Sequence, residues 1–230
     1  MKIYGLQKLT LLDYPGKTAC TIFTGGCNFR CPFCHNALLV TDIDSSQTYS
    51  EEEILDFLSK RTGLLDGVCI TGGEPLMNND IEDFIRAIKK LGYKVKLDTN
   101  GSFPEILKEL LNNHLVDYVA MDIKNSKEKY EKTAGIKNVS ISDIEKSINL
   151  LKLSDIDYEF RTTVVNEFHT EGDILKIAEW IKGAKNYFLQ NFEDSGNLIG
   201  ENLSAVSKDI LEKMKTSAKA FVENTQIRGV

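Results

Sequence analysis

The sequence predicts an α/β fold, a partial (β/α)6 TIM-like barrel of parallel strands. Three observations carry the prediction. Apolar runs of strand length alternate with amphipathic helical stretches from beginning to end, the pattern of βα units that lay helices against a parallel sheet. The chain has 230 residues, 42% of them hydrophobic, enough to bury a sizeable core as one barrel-type domain over residues 1–230. Polar residues recur at the C-terminal ends of the apolar runs, where the sites of parallel barrels collect.

In chain order, Thr18 to Thr24 reads as the first strand, followed by a cysteine-rich loop over residues 25–36. Ser50 with Glu53 three residues later forms a capping box and opens a helix. Val68 to Thr71 is the second strand, and Asn79-Asp80 leads into a helix with Ile81, Phe84, Ile85 and Ile88 at helical spacing. Lys94 to Thr99 is the third strand, ahead of a helix that opens at Pro104, a favoured first-turn position. Val119 to Ile123 is the fourth, with a short helical piece near Glu128 and a longer helix carrying Ile144, Ile148 and Leu151. Tyr158 to Val165 is the fifth, with a helix along Ile174, Ile177, Ala178 and Ile181. Tyr187 to Phe192 is the sixth, and the final helix carries Val206, Ile210, Met214 and Ala218. The tail over residues 222–228 adds an edge strand.

Strand alternation then assigns side chains to faces. With Val95 and Leu97 against the helices, Asp98 turns inward; Val119, Met121 and Ile123 likewise turn Ala120, Asp122 and Lys124 inward. Tyr158 and Phe160 send Arg161 and Thr163 in, Gln190 opposes Tyr187 and Leu189, and Thr71 opposes Val68 and Ile70. Unpaired charges inside a barrel are costly, so Asp98, Asp122, Lys124 and Arg161 either satisfy one another or surround a ligand. Their convergence at one end favours a polar ligand.

Composition bounds the function. A net charge of −6 argues against nucleic acid as the main partner. No apolar stretch approaches the length of a membrane span and no signal peptide precedes the first strand, so a cytoplasmic protein is expected. Five cysteines with three in one loop fit a reducing compartment better than a disulfide framework. Cys20 and Cys69 read as buried small hydrophobes, His114 and His169 as solvent-facing residues without a role, and Trp180 as packing.

The chemistry concentrates in two stretches. Cys27, Cys31 and Cys34 set three thiols at Cys-x3-Cys-x2-Cys. A structural zinc site needs four protein ligands, whereas an iron–sulfur cluster on three thiolates leaves one iron open to a substrate. A zinc knuckle completed by His35 would need adjacent residues to fold back sharply, and Cys31 with Cys34 lacks the context of a redox pair. Thr71-Gly72-Gly73-Glu74-Pro75 ends the second strand; its glycines permit close backbone approach, and strand-end carbonyls with Glu74 suit an ammonium group.

The cysteine spacing followed by His35-Asn36, together with the GGEP stretch, resembles the radical S-adenosylmethionine (SAM) enzymes. Within them the chain is similar to the activating enzymes of glycyl-radical proteins over nearly its whole length. Thr10-Leu11-Leu12-Asp13-Tyr14-Pro15-Gly16-Lys17, Asp98-Thr99-Asn100-Gly101 and Met121-Asp122-Ile123-Lys124 add to the match, and the first of these resembles the branch that activates anaerobic ribonucleoside-triphosphate reductase. The resemblance implies a radical SAM core in which Cys27, Cys31 and Cys34 hold one [4Fe-4S] cluster whose free iron chelates SAM. Phe33, His35 and Asn36 would lie at the adenine, and Gly72, Gly73 and Glu74 at the amino group. Lys124 and Arg161 would contact SAM, with Gln190 where pyruvate formate-lyase activating enzyme has a histidine. A monovalent-cation site would fall on Asp98, Thr99, Asp122 and the carbonyl of Ala120.

That resemblance further implies one-electron cleavage of SAM to a 5′-deoxyadenosyl radical, which abstracts hydrogen from a glycine of a partner, anaerobic ribonucleoside-triphosphate reductase, with reduced flavodoxin or ferredoxin as electron donor. Cleaving SAM to act on a small molecule, as a 7-carboxy-7-deazaguanine synthase-like enzyme does, is the alternative. A non-catalytic iron–sulfur electron carrier would need a fourth ligand and no SAM site.

Overall fold

The computed structural model of the chain describes residues 1–44 and 48–229. The described strands form one sheet in sequential order. They are β1 (Ile3–Thr10), β2 (Ala19–Thr24), β3 (Gly67–Gly72), β4 (Lys94–Thr99), β5 (Tyr118–Asp122), β6 (Asp157–Val164), β7 (Tyr187–Asn191) and β8 (Thr225–Arg228). From β2 to β8 each strand is parallel to the next, while β1 runs antiparallel to β2. Helices fill the crossovers: α1 (Leu38–Thr41), α2 (Glu51–Ser59), α3 (Ile81–Lys90), α4 (Pro104–Asn112), α5 (Tyr130–Ala134), α6 (Ile141–Leu153), α7 (Glu171–Trp180) and α8 (Lys208–Ala218).

The six expected strands are present, and the tail contributes β8 at the sheet edge over a shorter span than 222–228. The strand that sequence reading passed over is β1. Its middle, Gln7 to Leu9, is exposed, so it shows neither the alternation nor the apolar run that marks a buried strand. Gln7 on β1 and Arg228 on β8, at opposite edges of the sheet, line the same cavity, so the sheet curls round into an open barrel.

Local signals behave as the chain's chemistry dictates. Ser50 accepts from the Glu53 amide while the Glu53 carboxylate accepts from the Ser50 amide, which caps α2. The short helical piece near Glu128 is a single 3-10 turn over Lys127–Lys129, continued by α5. The final helix departs from expectation. It begins at Lys208 after the cap Ser207, so Val206 lies outside it, and Ile210 is 42% exposed. Leu211, Met214 and Ala218 form its buried stripe. Val206 and Leu211 hold the two positions of a hydrophobic staple, which is why Val206 reads as helical in sequence although its residue precedes the cap.

The core lies between sheet and helices, where Val95, Leu97, Val119, Met121, Tyr158 and Phe160 are buried with the apolar faces of α3, α4 and α6. Among the described residues no helix is long and apolar enough to cross a membrane.

Candidate active site

The other face of the curled sheet borders a cavity of about 490 Å³. Its wall collects the C-terminal strand ends, including Thr71, Asp98, Asp122, Thr163 and Gln190, as alternation predicted. Cys27, Cys31, Cys34, Phe33, His35 and Asn36 close it from the loop after β2, and Gly72, Gly73, Glu74, Thr99, Lys124 and Arg161 share it. Ala120 lies opposite Asp98 in the β4–β5 register and is fully buried in the sheet.

Backbone rather than regular structure fixes the cysteine loop. The Gly26 amide donates to Leu39 O at 2.8 Å, the Arg30 amide to Ala134 O at 2.8 Å, and the Cys34 amide to Cys31 O at 3.1 Å. The glycine turn after β3 locks against this loop. Glu74 N donates to Gly26 O at 2.8 Å, and Asn36 Nδ2 donates to Gly72 O at 2.9 Å. Gly72 has φ +114°, and a Cβ at Gly73 would fall 1.8 Å from Gly26 O. Gly73 is therefore demanded by the approach of the cysteine loop, and Gly72 by its positive φ and by β2, where a Cβ would fall 2.3 Å from Thr24 O.

Glu74 is 1% exposed. Its Oε1 accepts from Leu76 N at 3.1 Å and Thr99 Oγ1 at 2.8 Å, and its Oε2 from Asn100 N at 2.7 Å. Burial pushes its carboxyl up to about 7, against the pull of those donors. The aspartates are held differently. Arg161 Nε donates to Asp122 Oδ1 at 2.9 Å and Arg161 Nη1 to Asp98 Oδ2 at 3.2 Å, while Lys124 Nζ donates to Asp122 Oδ2 at 3.0 Å. Lys96 Nζ donates to Asp98 Oδ1. Burial alone would raise both carboxyls, but Arg161 and the lysines outweigh it: Asp98 sits below the ordinary range and Asp122 at about 2. The four inward charges named from sequence thus satisfy one another, and they do so on the wall of a cavity.

The three thiols fit a thiolate-ligated cluster. Burial pushes Cys31 up to about 12 and raises Cys27 and Cys34, so all three hold their protons until a positive charge arrives. Donors are aimed at the sulfurs: Phe29 N at 3.4 Å and Asn100 Nδ2 at 3.8 Å on Cys27 Sγ, and the Asn36 amide on Cys34. Lys124 is the main positive charge acting on Cys31. No three His, Cys, Asp or Glu side chains among the described residues gather tightly enough for a single metal ion. His35 is exposed, its ring set edge-on 6.3 Å from Phe192.

His169, expected in solvent, is 3% exposed. Its Nε2 lies 2.8 Å from Lys124 O and its ring packs edge-on to Phe33, so it braces the backbone under Lys124; burial lowers its pKa. A buried histidine whose polar atoms meet backbone leaves no pattern in sequence. His114 is exposed and Trp180 packs against Tyr130, as read. Two contributors escaped sequence reading. Lys96 was legible, because the alternation that turns Asp98 inward turns Lys96 inward too. Asn100 was visible within its motif, but its contact with Cys27 was not.

Fold and site together define a parallel-strand barrel protein with a thiol-rich, charged cavity at its strand ends. The profile of the Radical SAM superfamily matches residues 21–181. A candidate glycyl-radical enzyme activating enzyme of Methanocaldococcus jannaschii is 35% identical over 99% of this chain and 96% of its own. The pyruvate formate-lyase 1-activating enzyme of Escherichia coli K12 is 28% identical over 60% of this chain and 58% of its own. In fold, Streptococcus suis SuiB bound to S-adenosylmethionine matches 90% of this chain and 49% of its own length with a TM-score of 0.69 and 14% identity. This chain belongs to the radical SAM superfamily, within its glycyl-radical enzyme activating enzymes, a family built on a [4Fe-4S] cluster and SAM.

Proposed function

We propose that Cys27, Cys31 and Cys34 ligate the [4Fe-4S] cluster, that SAM occupies the adjoining cavity, and that the protein activates a glycyl-radical enzyme by removing hydrogen from one of its glycines. The observation that carries this reading is that the three thiols of one loop share a 490 Å³ cavity with the side chains of Lys124 and Arg161. When bound, a reduced cluster supplies the single electron that splits the sulfonium, and SAM supplies the hydrogen-abstracting group.

The chain's own residues position and shield. Lys124 and Arg161 present two cations to a ligand carboxylate, and Asp98 and Asp122 hold those cations in place. Gly72, Gly73 and Glu74 form the edge for an amino group, with Phe33, His35, Asn36 and Gln190 around the rest of the ligand. Phe29 and Phe33 are buried beneath the loop and keep water from the thiols. A glycyl-radical enzyme is favoured over a small-molecule substrate because the activating-enzyme relative is matched over essentially its whole length; among such enzymes anaerobic ribonucleoside-triphosphate reductase is the partner we favour, on the resemblance of the Thr10 to Lys17 stretch. Reduced flavodoxin or ferredoxin would deliver the electron.

The test is to load iron and sulfide anaerobically, add SAM, a reductant and the reductase, and record both 5′-deoxyadenosine and the electron paramagnetic resonance spectrum. The expected outcome is nucleoside release with a glycyl doublet. Release without a doublet removes the reductase as partner and favours a small molecule; no release removes the whole reading.

A further inference from the structure

The carboxylates at the strand ends have no oxygen to spare. Asp98 Oδ1 accepts from Lys96 Nζ, and Asp98 Oδ2 from Arg161 at 3.2 Å and Thr71 Oγ1 at 3.3 Å. Both oxygens of Asp122 accept from cationic nitrogens, Arg161 Nε at 2.9 Å and Lys124 Nζ at 3.0 Å. The Thr99 hydroxyl is turned to Glu74 at 2.8 Å, and Ala120 is sealed within the sheet. Of the groups that family resemblance offers to a monovalent cation, both carboxylates and the Thr99 hydroxyl are therefore engaged. Three cationic side chains already face these two carboxylates, so an added cation would have to displace one of them.

The three cations are not equivalent. Lys124 and Arg161 line the cavity and are available to a ligand. Lys96, two residues before Asp98 on β4, lies below the cavity wall, 2% exposed, with Nζ 3.8 Å from Cys69 Sγ. A ligand carboxylate that shares Lys124 and Arg161 with the aspartates leaves Lys96 as the one of the three cations committed to Asp98 alone. An ammonium is a compact point charge with several donors, the role an alkali cation would otherwise fill.

We propose that the Lys96 ammonium is the built-in counter-cation of this site, taking the place of a bound monovalent cation, and that it is a positioning residue: it holds Asp98 so that Asp98 can orient Arg161. The proposal rests on the SAM reading only for the identity of the ligand; its test needs neither SAM nor cluster. Thermal unfolding of the cluster-free full chain would be followed in sodium, potassium, ammonium and choline chlorides at equal ionic strength. The wild type is expected to unfold at the same temperature in all four. Lys96→Met, which leaves Asp98 short of a partner, is expected to unfold roughly 10 °C lower in choline and to recover at least about half of that loss in potassium or ammonium. Lys96→Arg is expected to be insensitive to the salt, like the wild type. If Lys96→Met cannot be purified, Lys96→Met/Asp98→Asn, with both charges gone, is expected to fold and to show no preference among salts. A wild type stabilised by potassium over choline, a Lys96→Met protein indifferent to the cation, or a double variant that fails to fold overturns the assignment.

Discussion

Glu74 and Asp122 each stand at the C-terminal end of a strand and each borders the same cavity, yet their surroundings move them in opposite directions. Around Glu74 every donor is neutral, two backbone amides and a hydroxyl, and burial wins. Around Asp122 the donors are a guanidinium and an ammonium, and attraction wins. The difference separates two tasks. The Glu74 region is a joint: it ties the glycine turn to the Asn100 backbone and, through the Glu74 amide, to the cysteine loop. On the proposed function the Asp122 region is the receptor, because Lys124 and Arg161 line the cavity and can share a ligand carboxylate while still paired with the aspartates.

The comparison breaks most severely at Arg161, which bridges both aspartates. Arg161→Ala leaves two carboxylates under-paired and is expected to cost about 3–5 kcal/mol, read as a drop of roughly 10 °C in the unfolding midpoint. A loss under about 1 kcal/mol would mean that the aspartates do not depend on it.

Opposite pH dependence sharpens the contrast. The folded Glu74 carboxyl titrates above its unfolded value of 4.5, so its contribution to stability is full below 4.5 and is lost as pH rises through about 7. Asp122 titrates below its unfolded value of 3.8, so its contribution is full above 3.8 and is lost as pH falls through about 2. Glu74→Gln removes the first limb only. Relative to wild type, its urea-unfolding free energy is expected to rise by about 3 kcal/mol between pH 4.5 and 7, at 1.36 kcal/mol per unit. A flat difference would show that Glu74 stays ionised in its nest of donors.

The mildest test addresses the joint on its sulfur side. Asn100 bonds Asn28 at 2.9 Å and points its amide at Cys27. Asn100→Ala is expected to lower iron retention after reconstitution by roughly tenfold, measured by competition with a chelator, while leaving the Arg161 and Glu74 effects unchanged.

Much of this was legible locally. Lys94 to Thr99 alternates so that one face must meet the helices and Asp98 must look inward, and the same count delivers Asp122, Arg161 and Gln190. Cysteine spacing alone set three thiols in one loop. Val206 shows the limit of such patterns, because an apolar residue just before a cap has the periodicity of the helix without belonging to it. The exposed edge strand β1 shows another, since solvent on its middle residues erases the pattern.

What the sequence determined by itself is the run of parallel strands from β2 to β7 and the longer helices between them, which side chains face the barrel interior, and where the thiols gather, because these follow from patterns within a single segment. What only the tertiary structure decided is the pairing: Asp98 with Arg161 across 63 positions, Asn36 with Gly72 across 36, Asn100 with Cys27 across 73, and the burial of His169 beneath Lys124. Each partner is chosen by strand order, register and the few directions left open in a packed interior, and no local pattern of residues carries that information.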